Sequence, residues 1–75
     1  MGSFEVVKKI LQQGHVVPNE ISYSIRKIEN ALRATPVELT TAEAHELWKL
    51  TSPYIISFKH IRDLIKRKFS EEVFE

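Results

Sequence analysis

The sequence predicts an all-α fold, a small bundle of four short helices that forms one domain over residues 1–75. Apolar residues recur at helical spacing in four stretches of the chain. No stretch alternates polar and apolar residues over more than a few positions, as a half-buried strand would. The three prolines and Gly14 separate the apolar stretches, and proline and glycine are the residues that most often interrupt helices.

The first predicted helix covers about residues 4–13. We expect Ser3 to cap its start and Gly14 to adopt a left-handed conformation after its end, where glycine has no steric penalty. Residues 1–3 are also a candidate cloning remnant. One stripe of this helix is apolar and should face the core: Phe4, Val7, Leu11 and, beside them, Ile10.

The second predicted helix has the clearest pattern. Its apolar residues recur at i, i+4, i+7 and i+11: Ile21, Ile25, Ile28 and Leu32. Asn19 is the expected cap, and Glu20 in the first turn and Arg33 in the last turn both suit the helix dipole. Thr35 should end the helix, because the residue before a proline is driven out of the helical region.

The third predicted helix begins with a capping box. Thr40 is the cap, and Glu43 lies three residues later, where its side chain reaches back to the cap. The residues expected to face inward are Ala44, Leu47, Trp48 and Leu50.

Two starts are open for the fourth predicted helix. It begins after Ser52, with Pro53 in the favoured first position, or after Ser57 if the chain stays extended in between. Its core face comprises Phe58, Ile61, Leu64, Ile65 and Phe69, and residues 70–75 form a tail. Four isoleucines lie at the centres of the apolar stripes of the second and fourth helices and should be nearly fully buried: Ile25, Ile28, Ile61 and Ile65.

Composition limits the cellular context of the chain. There is no cysteine, so disulfides and cysteine-ligated zinc are excluded, and a reducing compartment is favoured. No apolar run approaches the roughly 18–20 residues that a membrane span needs, and the N-terminus lacks the apolar core of a signal peptide. We therefore expect a cytoplasmic protein that does not bind membranes.

The pattern nearest to a catalytic motif begins at His45. A metalloprotease helix has a second histidine four residues after the first, so that both bind one zinc ion, whereas this chain has Lys49 there. Two glycines are too few for a phosphate-binding loop. Acidic residues are mostly matched with a base four positions on: Glu29 with Arg33, and Asp63 with Arg67. We expect no catalysis, no metal or cofactor, and no small-molecule substrate.

A basic stripe on the last helix supports an alternative function, the binding of nucleic-acid phosphates. Its residues lie at i, i+3 and i+7 and continue to the end of the helix: Lys59, Arg62, Lys66, Arg67 and Lys68. A formal net charge of only +1 is low for a dedicated nucleic-acid binder. Three glutamates in the tail weaken the positive field further: Glu71, Glu72 and Glu75.

The last two helices can also be aligned with a helix-turn-helix DNA-binding unit. That alignment requires five apolar residues to be buried: Ala44, Trp48, Leu50, Ile55 and Phe58. His45 and Lys49 fit poorly, because the unit has a small residue and a glycine at those places. The alignment also places Ile56, Ser57 and His60 where the motif contacts the DNA groove. The candidate nucleic-acid residues are Ser57, Lys59, His60, Arg62, Lys66 and Arg67.

The chain has more large apolar residues than four inward stripes need, and aromatic residues are common anchors of protein interfaces. The surplus comprises Trp48, Tyr54, Ile55, Ile56, Phe69, Val73 and Phe74. Phe74 should be docked beside Trp48 in its own chain, beside Trp48 of a second chain, or on a foreign partner. We expect a small binding or regulatory module that uses a protein partner or its own homodimer, with a helix-turn-helix DNA binder as the alternative.

Overall fold

The computed structural model describes residues 3–75, which form four α-helices and one short 3-10 helix and contain no strand. The elements in chain order are α1 (Ser3–Gln12), α2 (Pro18–Arg33), α3 (Thr41–Thr51), the 3-10 helix (Ser52–Tyr54) and α4 (Lys59–Lys68). This confirms the predicted four-helix fold. Ser3, the predicted cap, is the first residue of α1, and its side chain lies outside the described residues, as do Met1 and Gly2.

The four helices surround one core. α1 packs against α2 and α3, and α4 packs against the same two helices. The core also includes Leu39, from the loop before α3, which the helical stripes did not predict. The other buried apolar residues are Val7, Leu11, Ile28, Leu32, Ala44, Leu47, Phe58, Ile61, Leu64 and Ile65.

The expected burial of Ile28 is confirmed, together with that of Ile61 and Ile65. Ile25 is only half-buried, so that prediction is wrong. The buried line of α2 runs through Ser24, Ile28 and Leu32, at successive steps of four residues. Ile25 lies one residue around the helix from that line and packs at the edge of the core.

The start of α2 differs from the prediction. Pro18 is its first residue, which makes Val17 the cap instead of Asn19. Proline suits this position because its fixed φ is already helical. The Glu20 carboxylate accepts a hydrogen bond from the Val17 N–H at 3.2 Å. Gly14 has the expected left-handed φ of 80°.

The capping box of α3 is confirmed in both directions. The Glu43 N–H donates to Thr40 Oγ1 at 3.1 Å, and the Thr40 N–H donates to the Glu43 carboxylate at 2.9 Å. Both bonds satisfy backbone donors that the first turn of a helix leaves without partners.

The connection between α3 and α4 is helical in character and not extended. Ser52 and Ile55 both have right-handed helical dihedral angles, and the Phe58 N–H donates to the Tyr54 carbonyl at 3.0 Å. α4 begins at Lys59. The later of the two predicted starts is therefore right, and the extended segment proposed before it is wrong.

Ion pairs join the helices at the surface. Lys8 of α1 contacts Glu46 of α3 at 2.9 Å. The predicted pair of Glu29 with Arg33 is present at 2.9 Å. Hydrogen bonds from Arg33 and then His60 hold the pKa of Glu29 below its ordinary value of 4.5.

One predicted pair on α4 has a different partner. Asp63 contacts Lys59, four residues earlier, at 3.6 Å, and not Arg67. Both spacings place the partners on one helix face. Within residues 3–75, no helix has the length and apolar character that crossing a membrane requires.

Candidate interaction surfaces

The tail, residues 70–75, folds back onto α3 of its own chain. The Phe74 ring lies against His45, with centroids 4.6 Å apart, and against Trp48, with centroids 5.1 Å apart. These distances are typical of favourable aromatic pairs. The first of the three docking sites expected for Phe74 is therefore the one the structure has. We call the surface of His45 and Trp48 that Phe74 covers the Trp48 groove.

Polar contacts accompany this ring packing. The His45 imidazole lies 2.8 Å from the Glu72 carboxylate, an ion pair whenever the imidazole is protonated. The Trp48 indole N–H donates to the backbone carbonyl of Glu75. Sequence reasoning missed the role of His45 and Glu72. One sequence feature could have predicted that Glu72 and Phe74 dock together. They are two residues apart, so both side chains lie on the same side of an extended chain.

Arg62 is buried and does not belong to the basic surface stripe. Its side chain is 7% exposed, and Nη1 donates to the Trp48 carbonyl at 2.6 Å and to Thr51 Oγ1 at 2.8 Å. Its guanidinium lies 3.7 Å from the centroid of the Trp48 ring, a cation–π contact. Burial lowers the pKa of Arg62 below its ordinary value. Arg62 therefore joins α4 to the C-terminal end of α3.

The other predicted nucleic-acid residues lie at the surface and are divided among several contacts. Lys59 faces Asp63, His60 Nε2 lies 3.3 Å from the Glu29 carboxylate, and Lys66 Nζ lies 5.7 Å from the Trp48 ring centroid. Ser57 and Arg67 are exposed. The structure thus does not bring these six residues together as one basic face.

The structure differs in two ways from the helix-turn-helix unit with which the last two helices were aligned. Residues 52–58 join α3 to α4, which is longer than the turn of about 3–4 residues in that motif. Ile55, which the alignment places in the core, is 55% exposed. Ala44 and Phe58 are buried as the alignment requires, and Trp48 and Leu50 are half-buried.

Residues 52–58, which we call the α3–α4 corner, include two exposed apolar side chains. Ile56 is 89% exposed and Ile55 is 55% exposed. Tyr54 is half-buried and contacts the Phe58 ring edge-on at a centroid distance of 6.5 Å. A hydrogen bond holds each end of the corner. Ser52 Oγ donates to the Lys49 carbonyl at 2.9 Å, and the Phe58 N–H donates to the Tyr54 carbonyl at 3.0 Å.

The predicted protein-interaction residues are therefore divided among four places. Trp48 and Phe74 contact each other, and Phe69 packs against the core. Tyr54 and Ile56 lie on the α3–α4 corner. Val73 points outward from the tail and is 81% exposed.

A cleft of about 420 Å³ lies between α1, α2 and the start of α3. Its apolar lining includes Phe4, Ile28 and Leu47, and Glu38 and Glu43 contribute carboxylates. Among residues 3–75, no three His, Asp or Glu side chains are grouped closely enough to hold one metal ion.

The fold and these surfaces define a small all-helical domain. The chain matches no protein-family model, no curated protein and no solved structure.

Proposed function

We propose that this chain is a small non-enzymatic helical module that binds a protein partner through the α3–α4 corner. Ile55 and Ile56 are its anchors, and the partner supplies a complementary apolar pocket. The observation that carries the proposal is the joint exposure of these two neighbouring side chains, 55% and 89%. Fully burying an isoleucine side chain contributes roughly 1.5–3 kcal/mol, and this chain leaves most of that contribution unused at Ile56 and about half of it at Ile55.

Hydrogen bonds and side-chain contacts support the conformation of the corner. Hydrogen bonds fix it at Tyr54 and Phe58, and Arg62 ties the end of α3 to α4. A preorganised anchor loses little conformational entropy on binding, which favours affinity. Charged residues of α4 beside the corner, Lys59 and Asp63, fit the polar rim that commonly surrounds an apolar anchor.

The shape of the corner favours a foreign partner over a second copy. A protrusion is not self-complementary, whereas a symmetric dimer needs matching patches on both copies. The lack of cysteine suits a cytoplasmic module.

The proposal can be tested with two matched variants. Ile56→Asp puts a charge on the corner, and Val73→Asp puts the same charge on an apolar residue of similar exposure in the tail. We expect a protein captured by the parent chain and by Val73→Asp to be lost with Ile56→Asp. Titration of that purified protein should then show an affinity at least about tenfold weaker for Ile56→Asp, or 1.4 kcal/mol.

Three results would contradict the proposal. The first is equal binding of the partner by Ile56→Asp and the parent. The second is a solution mass of twice the 8.7 kDa monomer that Ile56→Asp halves, which would show a homodimer. The third is a salt-sensitive complex with duplex DNA that persists at physiological salt, which would favour the basic residues of α4.

A further inference from the structure

The tail occupies the Trp48 groove in the manner of a bound peptide. Residues 73–75 have no regular secondary structure, and side chains alternate along them: Phe74 faces the groove and Val73 faces solvent. Three kinds of contact hold the segment. They are the Phe74 ring on Trp48, the Glu72 carboxylate on His45 and the Glu75 carbonyl on the indole N–H.

The chemistry of the groove matches this occupant. Arg62 lies over the Trp48 ring, and Lys66 Nζ lies 5.7 Å from its centroid. The exposed Lys66 and the buried Arg62 thus place positive charge beside the Trp48 ring, and the tail carries three glutamates around one phenylalanine. Opposite charges on the two sides steer binding and select the partner.

The contacts of the tail are few enough to be exchanged. Phe74 is only half-buried, and the segment is too short to form a stable helix by itself. Its main advantage over a separate peptide is its covalent attachment, which gives it an effective concentration of about the millimolar range for a short flexible link.

We infer that the Trp48 groove is a peptide-binding site for an acidic, phenylalanine-containing segment of another protein. The tail of this chain is the competing occupant that closes the site. This inference concerns a different surface from the α3–α4 corner and does not depend on the proposed function.

The probe for this site is a dye-labelled peptide, Ser-Glu-Glu-Val-Phe-Glu, identical to residues 70–75. Its binding to the full chain is measured by fluorescence anisotropy for the parent and for Phe74→Ala. We expect the variant to bind at least about tenfold more tightly, because the apparent affinity of the parent is the intrinsic affinity multiplied by the small fraction of molecules whose groove is free of the tail. A peptide with alanine in place of its phenylalanine should bind neither protein.

Two further variants keep the test decisive. Val73→Ala changes an exposed tail residue and should bind the probe as the parent does. Glu72→Ala removes the carboxylate from His45 and should strengthen probe binding by a smaller factor than Phe74→Ala. If Phe74→Ala does not fold, as judged by circular dichroism, Glu72→Ala decides the outcome alone.

The inference is overturned if folded open variants bind the probe no better than the parent, or if binding does not need the peptide's phenylalanine. It is also overturned if the parent forms a concentration-dependent dimer that Phe74→Ala abolishes, since the occupant would then be the tail of a second copy. Ile56→Asp should bind the probe like the parent. Its behaviour separates failure at this groove from failure at the corner.

Discussion

Replacing Arg62 with methionine tests whether this residue joins α3 to α4. The substitution keeps an unbranched side chain of similar length but removes the guanidinium. It deletes hydrogen bonds to the Trp48 carbonyl and to Thr51 Oγ1, and a cation–π contact of 3.7 Å. Arg62 is 7% exposed, so water replaces these contacts poorly.

The magnitude follows from the groups left behind. Thr51 Oγ1 still donates to the Leu47 carbonyl at 2.8 Å, so removing the bond that it accepts from Arg62 costs little stability. The Trp48 carbonyl keeps only a longer contact with Thr51 Oγ1, at 3.3 Å, and losing a hydrogen bond from a charged donor costs about 1.5–3 kcal/mol. The lost cation–π contact adds about 1–2 kcal/mol, and removing a desolvated charge returns part of the total. We expect Arg62→Met to lower the free energy of unfolding by about 2–3 kcal/mol, from roughly 4–11 kcal/mol for a domain of this size.

Urea unfolding followed by the fluorescence of Trp48, the single tryptophan, measures this loss. Arg62→Ala should cost about 2 kcal/mol more, because it also removes the packed stem. Arg67→Met is the control, because Arg67 is exposed on the same helix and the substitution is identical; it should change stability by less than about 0.5 kcal/mol. Equal stability of Arg62→Met and the parent, or an equal loss in Arg67→Met, would show that Arg62 does not join the two helices.

Three further predictions concern α2. Ile28→Ala should destabilise the domain by about 2–5 kcal/mol in urea unfolding, because it opens a cavity in the core; an unchanged midpoint would contradict this. Ser24 Oγ is buried and has no hydrogen-bond partner among the described residues. Ser24→Ala should therefore raise stability by about 1 kcal/mol, and a loss would show that the hydroxyl is bonded. The lowered pKa of Glu29 means that its stabilising contribution is present above pH 4.5 and is lost as the pH falls through the lower folded-state pKa. Thermal melts of Glu29→Gln should thus depend less on pH below 4.5 than those of the parent.

Local signals predicted the helices and most of their ends. The capping box of Thr40 and Glu43 depends on residues three apart, so the sequence contains all the information it needs. At the start of α2 two local rules competed. Asn19 is a good cap, but Pro18 is an equally good first residue, and Glu20 could reach back only to Val17. The position of the proline decided the outcome.

The contacts of Arg62 and Ile55 could not be predicted from local pattern. Arg62 shares helical spacing with Lys59 and Lys66, and only the packing of α4 against α3 buries it beneath Trp48. Ile55 is a large apolar residue of the kind usually found in a core. The 3-10 helix that precedes it nevertheless directs the Ile55 side chain towards solvent.

The docking of the tail could be predicted only in part from the sequence. Its composition predicted that Phe74 should be docked, because an exposed phenylalanine stabilises nothing. Which of the three sites it occupies depends on how the chain reverses after Phe69, where the Glu72 N–H donates to the Phe69 carbonyl at 3.0 Å.

Docking of the tail on Trp48 within one chain is tested most directly by NMR on a dilute solution of the 75-residue chain. We expect nuclear Overhauser effects between the Phe74 ring and the Trp48 indole, and backbone order parameters in residues 72–75 as high as those in α4. These effects should persist on dilution and disappear in Phe74→Ala, whereas Val73→Ala should retain the contact between residues 74 and 48. Backbone order parameters below about 0.6 in the tail, with no Phe74–Trp48 contact, would show that the tail does not dock on Trp48 of its own chain.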